Sequence, residues 1–197
     1  MSCTVFIVRH GEYVKQKYGD GPLSDNGREQ IEATADEIAD KHFLPPRATV
    51  HRDDGIDLAL VSGSLRGMDT FISITEAFGD YRITIQKRIV HADFFNTNEE
   101  DSTYQKLYGP NSENIYPGFK TDVKKLGSTQ AILKHAPHLI RNPAMRVVES
   151  VRQAQKDGQK TFLIVTHQGY EQVIVKALTD EDCPMLELGK HMEVEFD

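Results

Sequence analysis

Arg9 and Arg66 carry guanidinium forks that match the oxygens of a tetrahedral anion, and His10 and His167 carry imidazoles able to act as nucleophile or proton carrier near pH 7. Brought together, two arginines and two histidines would grip an anion of phosphoryl size and offer a ring nitrogen to attack it. The triplet Arg9-His10-Gly11, the segment 62–66 and the pair Thr166-His167 lie far apart in the chain, so the fold has to assemble them. A helix beginning near Ser64 would turn its positive end toward the same anion.

Each of these places directly follows an apolar run. Residues 3–8 read Cys-Thr-Val-Phe-Ile-Val, apolar on both faces as a buried central strand is. Residues 57–61 lead to Ser62-Gly63-Ser64, and residues 161–165 lead to Thr166-His167-Gln168-Gly169. Open α/β sheets bind ligands beyond the carboxyl ends of their parallel strands, so three such ends would meet at one edge. Ser24 or Asp25 can cap a helix to about residue 41, with Ile31, Ala35, Ile38 and Ala39 on one apolar stripe. Further helices are expected from residue 66 to about 78, and over 130–140, 144–156 and 170–178. Strands are expected over 81–90 and 191–196. This alternation predicts an α/β fold as a single domain over residues 1–197, a three-layer sandwich around a mostly parallel sheet.

Residues 91–127 read differently. They are rich in Asn, Asp, Glu, Tyr, Gly and Pro and show little periodicity. So long a stretch inside a compact domain reads as a lid-like insertion over the active-site edge. Tyr104, Tyr108, Tyr116 and Phe119 would either tuck it onto the domain or form one wall of a substrate pocket. Glu99, Glu100 and Asp101 read as a solvated face.

Bulk properties narrow the field. With 23 Lys and Arg against 30 Asp and Glu, the formal charge is −7, so there is no overall basic footprint for nucleic acid. No apolar run is long enough to cross a bilayer, and residues 1–8 lack the basic and long apolar regions of a signal peptide. A cytoplasmic protein is the expectation, with no membrane partner. Cys3 and Cys183 do not suggest a disulfide framework. CxxC and HExxH are absent, so no metal and no cofactor is expected.

Four motifs in order, Val8-Arg9-His10-Gly11-Glu12, Pro22-Leu23-Ser24-Asp25-Asn26-Gly27, Arg66-Gly67-Met68-Asp69-Thr70 and Val165-Thr166-His167-Gln168-Gly169, resemble the histidine phosphatase (phosphoglycerate mutase-like) superfamily. The resemblance implies that His10 becomes phosphorylated, that His167 flanks the transferred group, and that Arg9 and Arg66 bind its oxygens. Gly11, Gln16 and Gln168 are further candidates for phosphate binding. It also implies a three-layer fold and a reaction without metal.

The departures sort the branches. Mutase-type members carry Ser or Thr and then Asn after the nucleophile, where this chain has Tyr13 and Gln16. The short loop before Pro22 is similar to that of the small phosphohistidine phosphatases. The Leu-x-Glu that supplies an acid in mutases and sugar phosphatases is replaced by Ile89-Val90-His91-Ala92-Asp93. The general acid is therefore sought at Asp93 first, then His91, then Glu12. His167-Gln168 stands where the acid-phosphatase branch has His-Asp. The expected function is a metal-independent phosphatase for a phosphate monoester or phosphoramidate, acting on a small phosphorylated substrate or a phosphohistidine protein. A phosphomutase and a phosphate-binding regulatory domain are the alternatives.

Overall fold

The computed structural model describes residues 2–16, 21–43, 55–91 and 98–197, without the side chains of residues 90, 91, 98–101 and 104. Strands β1 (Cys3–Arg9), β2 (Gly55–Ser62), β3 (Thr84–His91), β4 (Thr161–Thr166) and β5 (His191–Phe196) form one sheet in the order β3-β2-β4-β1-β5. The first four are parallel, and β5 runs antiparallel to β1 at the edge. The chain leaves β1, skips one place to β2, steps outward to β3, and returns through a helical excursion to insert β4 between β2 and β1.

The central strands read apolar throughout because both their faces are covered. Val5 and Ile7 of β1 enter one core with Leu58, Leu60, Phe162 and Ile164. Phe6 and Val8 enter the opposite core with Ala59, Val61, Leu163 and Val165. Val5, Ile7 and Val8 are all 0% exposed, and each such side chain contributes about 1.5–3 kcal/mol through burial.

Helices α1 (Asp25–His42) and α2 (Leu65–Asp80) cover the second core. Ser24, not Asp25, is the cap of α1, its hydroxyl accepting from the Gly27 amide at 3.1 Å. Ser64 caps α2 in the same way through Gly67. The strand expected from residue 81 begins at Thr84, because Tyr81 ends α2 and Arg82 takes a left-handed turn with φ 60°.

The first core is covered by helices between β3 and β5. These are α3 (Asn98–Tyr108), α4 (Ser112–Ile115), α5 (Phe119–Leu126), α6 (Ser128–His135), α7 (His138–Lys156) and α8 (Tyr170–Thr179). Most of the stretch expected to lack periodicity is thus helical from residue 98. Its helices are interrupted at Gly109-Pro110, Pro117-Gly118 and Gly127, so they are too short to show a long apolar stripe. Leu107 and Phe119 anchor them in the core.

The expected helices 130–140 and 144–156 are also redrawn. The break falls at Ala136-Pro137, and Pro143 lies inside α7. A proline has no N–H to give the carbonyl one turn earlier, here that of Leu139. The Tyr170 hydroxyl donates to that carbonyl instead, at 3.3 Å. A contact from α8 thus supports the helix where its own ladder has a gap. Among the described residues, no helix is long and apolar enough to cross a membrane.

Candidate active site

Parallel pairing of β1 with β4 puts Arg9 beside Thr166, and the His10 amide donates to the Thr166 carbonyl at 3.2 Å. His10 and His167 therefore leave adjacent strands together, with ring centroids 5.0 Å apart. His10 is 4% exposed, and its Nδ1 lies 2.9 Å from the Gly11 carbonyl oxygen. A carbonyl only accepts, so Nδ1 carries the proton and Nε2 of the neutral ring keeps its lone pair. Nε2 faces Arg66, whose Nε–H donates to it at 3.1 Å. Arg66 stands in the first turn of α2, and its guanidinium lies over the Tyr13 ring at 4.7 Å. Tyr13 meets the His10 ring edge-on at 5.4 Å.

Arg9 is held from behind. Its Nη1 donates to the Leu186 carbonyl at 2.5 Å and its Nη2 to Oε1 of Gln168 at 3.3 Å. The Leu186 amide donates in turn to Oε1 of Glu171 at 3.2 Å, and Glu171 is fully buried. Leu186 is thus gripped from two sides, and the irregular segment before β5 becomes a rest for the arginine. Burial pulls the Arg9 guanidinium below its ordinary pKa, an effect that the Glu171 charge opposes. Burial pushes the Glu171 carboxyl up, against backbone N–H groups and the Arg9 charge.

Nε2 of His167 is hydrogen-bonded to the Ser62 hydroxyl at 2.7 Å and lies 3.3 Å from that of Ser64. Burial, then the repulsion that a proton on the adjacent His10 ring would add and that the Arg66 and Arg9 guanidiniums exert, holds the His167 pKa well below the ordinary histidine value. A dianion between the arginines would reverse that repulsion and favour the imidazolium.

A cavity of about 450 Å³ collects these groups. Of the residues expected from sequence, it brings together Arg9, His10, Arg66, His167 and Gln168. Gly11 and Gln16 are not in its lining. Gly11 serves packing: a Cβ there would lie 2.5 Å from the Gly27 carbonyl oxygen, and its amide reaches Oγ1 of Thr70 at 3.4 Å. Gln16 is exposed. Glu12 is also outside the lining, its carboxylate accepting from the Ser24 hydroxyl at 3.0 Å and from Asn26 Nδ2 at 2.9 Å at the start of α1. Asp93, the first candidate for general acid, lies outside the described residues, as does the side chain of His91.

Several contributors were not singled out from sequence. Tyr13 lines the cavity, as do Tyr170, Thr129, Ile132 and Ile140. Ser62 and Glu171 act behind the lining. Asp69 ties the loop before α1 to α2, its Oδ2 accepting from the Leu23 amide at 3.1 Å and from Arg28 at 3.2 Å. Of the four aromatic residues at 104–119, Tyr108 reaches the cavity and Phe119 belongs to the core. Tyr116 packs against that core, and the side chain of Tyr104 lies outside the described residues. Glu171 sits on the buried face of α8 with Tyr170, Ile174, Val175 and Leu178, a position that its charge hides in the sequence. Among the described residues, no group of three or more His, Cys, Asp or Glu gathers as a metal site.

The chain matches the model of the histidine phosphatase superfamily (branch 1) over residues 5–191. It belongs to that superfamily. Solved structures share the histidine phosphatase fold at low identity. The protein histidine phosphatase SixA in complex with tungstate is 15% identical, with a TM-score of 0.56, covering 98% of this chain and 96% of that one. Phosphoglycerate mutase from Bacillus anthracis str. Sterne is 15% identical, with a TM-score of 0.59, covering 99% and 88%. Mycobacterial glucosyl-3-phosphoglycerate phosphatase is 16% identical, with a TM-score of 0.60, covering 99% and 91%. A search of curated proteins by sequence finds no match.

Proposed function

We propose that this histidine phosphatase superfamily member hydrolyses a phosphate monoester or phosphoramidate through a phosphohistidine on His10. The observation that carries the reading is the orientation of His10. Its Nδ1–H is held by the Gly11 carbonyl, which turns the Nε2 lone pair into the cavity beside Arg66. Nε2 attacks phosphorus, the bond from phosphorus to the leaving oxygen or nitrogen breaks, and the leaving group takes a proton. Water then attacks the phosphorus, the P–N bond to His10 breaks, and inorganic phosphate is released with the imidazole restored. Arg9 and Arg66 hold the equatorial oxygens, and preorganised charge supplies most of the acceleration. His167, whose pKa is held down by burial and by the neighbouring guanidiniums, gains affinity for a proton as the dianion enters and donates to its oxygens.

Asp93 is proposed as the acid for the leaving group. The support is its place in the sequence, two residues past His91, which ends β3 paired with Ser62. The supporting experiment traps the intermediate. Radiolabelled substrate quenched in base is expected to leave an acid-labile, base-stable adduct that is absent in His10→Ala. An adduct on another residue, or full turnover in His10→Ala, overturns the reading. Arg66→Lys is expected to recover little of the loss in Arg66→Ala, since an ammonium cannot reproduce the fork.

A further inference from the structure

We infer that the substrate of this site presents an uncharged aromatic ring as its leaving group, packed between Tyr108 and the Ile132–Ile140 wall. The inference rests on the phosphatase reading above and specifies its substrate class. The cavity is polarised. Arg9, His10, Arg66 and His167 stand at one end, and a single phosphoryl group uses both guanidiniums there. Toward the excursion helices the lining changes to Ile132, Ile140 and Tyr108, with the hydroxyls of Ser128 and Thr129 beside them.

Ile132 and Ile140 are 5% and 2% exposed, and the surface they retain opens into the cavity. Tyr108, 51% exposed in all, gives part of its surface to the cavity lining. The ring is braced rather than loose. It meets Phe119 edge-on at 5.3 Å, and Phe119 meets His135 edge-on at 5.7 Å. A held aromatic ring and aliphatic side chains in one lining suit a flat apolar group. Tyr170 adds its ring and not its hydroxyl, which is committed to Leu139.

Charge points the same way. Among the described lining residues the two guanidiniums are the only fixed charges, and both belong to the phosphoryl end. Beside Ile132 and Ile140 a carboxylate or second phosphate on the leaving group would find the hydroxyls of Ser128 and Thr129 but, among the described lining residues, no cation besides the two guanidiniums at the phosphoryl end. Uncharged rings joined to phosphorus through oxygen or nitrogen satisfy both ends of the cavity.

The test separates ring from charge. The values of kcat/KM are measured for benzyl phosphate and glycerol 3-phosphate, both alkyl esters, and for phenyl phosphate and 4-carboxyphenyl phosphate, which share a ring. Benzyl phosphate is expected to exceed glycerol 3-phosphate by about tenfold or more, in line with the burial of one ring. The added carboxylate is expected to lower kcat/KM by about tenfold or more, chiefly through KM. Tyr108→Ala is expected to cut the benzyl-to-glycerol preference several-fold, and Tyr108→Phe to keep it. Equal use of 4-carboxyphenyl and phenyl phosphate, or an unchanged preference in Tyr108→Ala with a wild-type melting curve, overturns the inference while leaving the phosphatase reading intact. Absence of turnover on every ester, together with no adduct on His10, overturns both.

Discussion

Replacing Tyr170 with phenylalanine removes the one hydroxyl that serves the Leu139 carbonyl in the gap left by Pro143. Leu139 is 0% exposed and Tyr170 is 7% exposed, so water cannot readily take over. Leaving a buried acceptor unsatisfied costs about 1–3 kcal/mol. The 3.3 Å separation marks a long bond and places this case in the lower half of that range, about 1–2 kcal/mol. For a chain of this size each kcal/mol lowers Tm by roughly 2–4 °C, so Tyr170→Phe should melt roughly 2–8 °C earlier. The second arm is Pro143→Ala, which restores an N–H to the helix and lets it bond the Leu139 carbonyl directly. In that background Tyr170→Phe should cost no more than roughly 0.5 kcal/mol. Urea unfolding followed by circular dichroism over the four proteins yields the coupling. Additivity within about 0.5 kcal/mol would refute the reasoning, because the hydroxyl would then owe its effect to something other than the proline gap.

Three further outcomes follow from the site. Glu171→Ala removes the acceptor of the Leu186 amide and should destabilise by about 1–3 kcal/mol, less when Arg9 is alanine as well; equal costs in both backgrounds in denaturant titrations would break the proposed link through Leu186. His167 has its folded pKa depressed, so the unfolded chain takes up that proton first. Its contribution to stability is complete above about pH 6.5 and is lost as pH falls from there through the folded value, at no more than about 1.4 kcal/mol per pH unit. His167→Gln should therefore show a smaller drop in Tm between pH 7.5 and 5.5 than the native chain, and an identical drop would assign the loss elsewhere. Asp93→Asn should slow benzyl phosphate far more than 4-nitrophenyl phosphate, since only the poor leaving group needs a proton in the transition state. Equal slowing of both esters in steady-state assays would remove Asp93 from that role.

Local patterns in the sequence determined the strands around 3–9, 55–62 and 161–166, whose apolar runs have few other uses than a sheet covered on both faces. They determined α1 as well, through a cap at Ser24 or Asp25 and one apolar stripe, and α2 through its apolar residues 68–78, and they placed Arg9, His10, Arg66 and His167 just past strand ends. The order of the strands was decided by tertiary structure. Only the insertion of β4 between β1 and β2 puts the two histidine rings 5.0 Å apart, and no local pattern encodes a neighbour so distant in the chain. Gln16 and Glu12 show the reverse limit: nearness to His10 in sequence does not bring them into the cavity lining, because the loop turns back to the cap of α1. Helices α3, α4 and α5 escaped notice because each is short and is set off from the next by Gly and Pro. Glu171, Leu186 and Tyr170 support the site through hydrogen bonds whose partners are set by burial and long-range approach. A carboxylate on the buried face of a helix, a backbone carbonyl in an irregular segment and a tyrosine opposite a proline acquire those roles only when the chain closes around them.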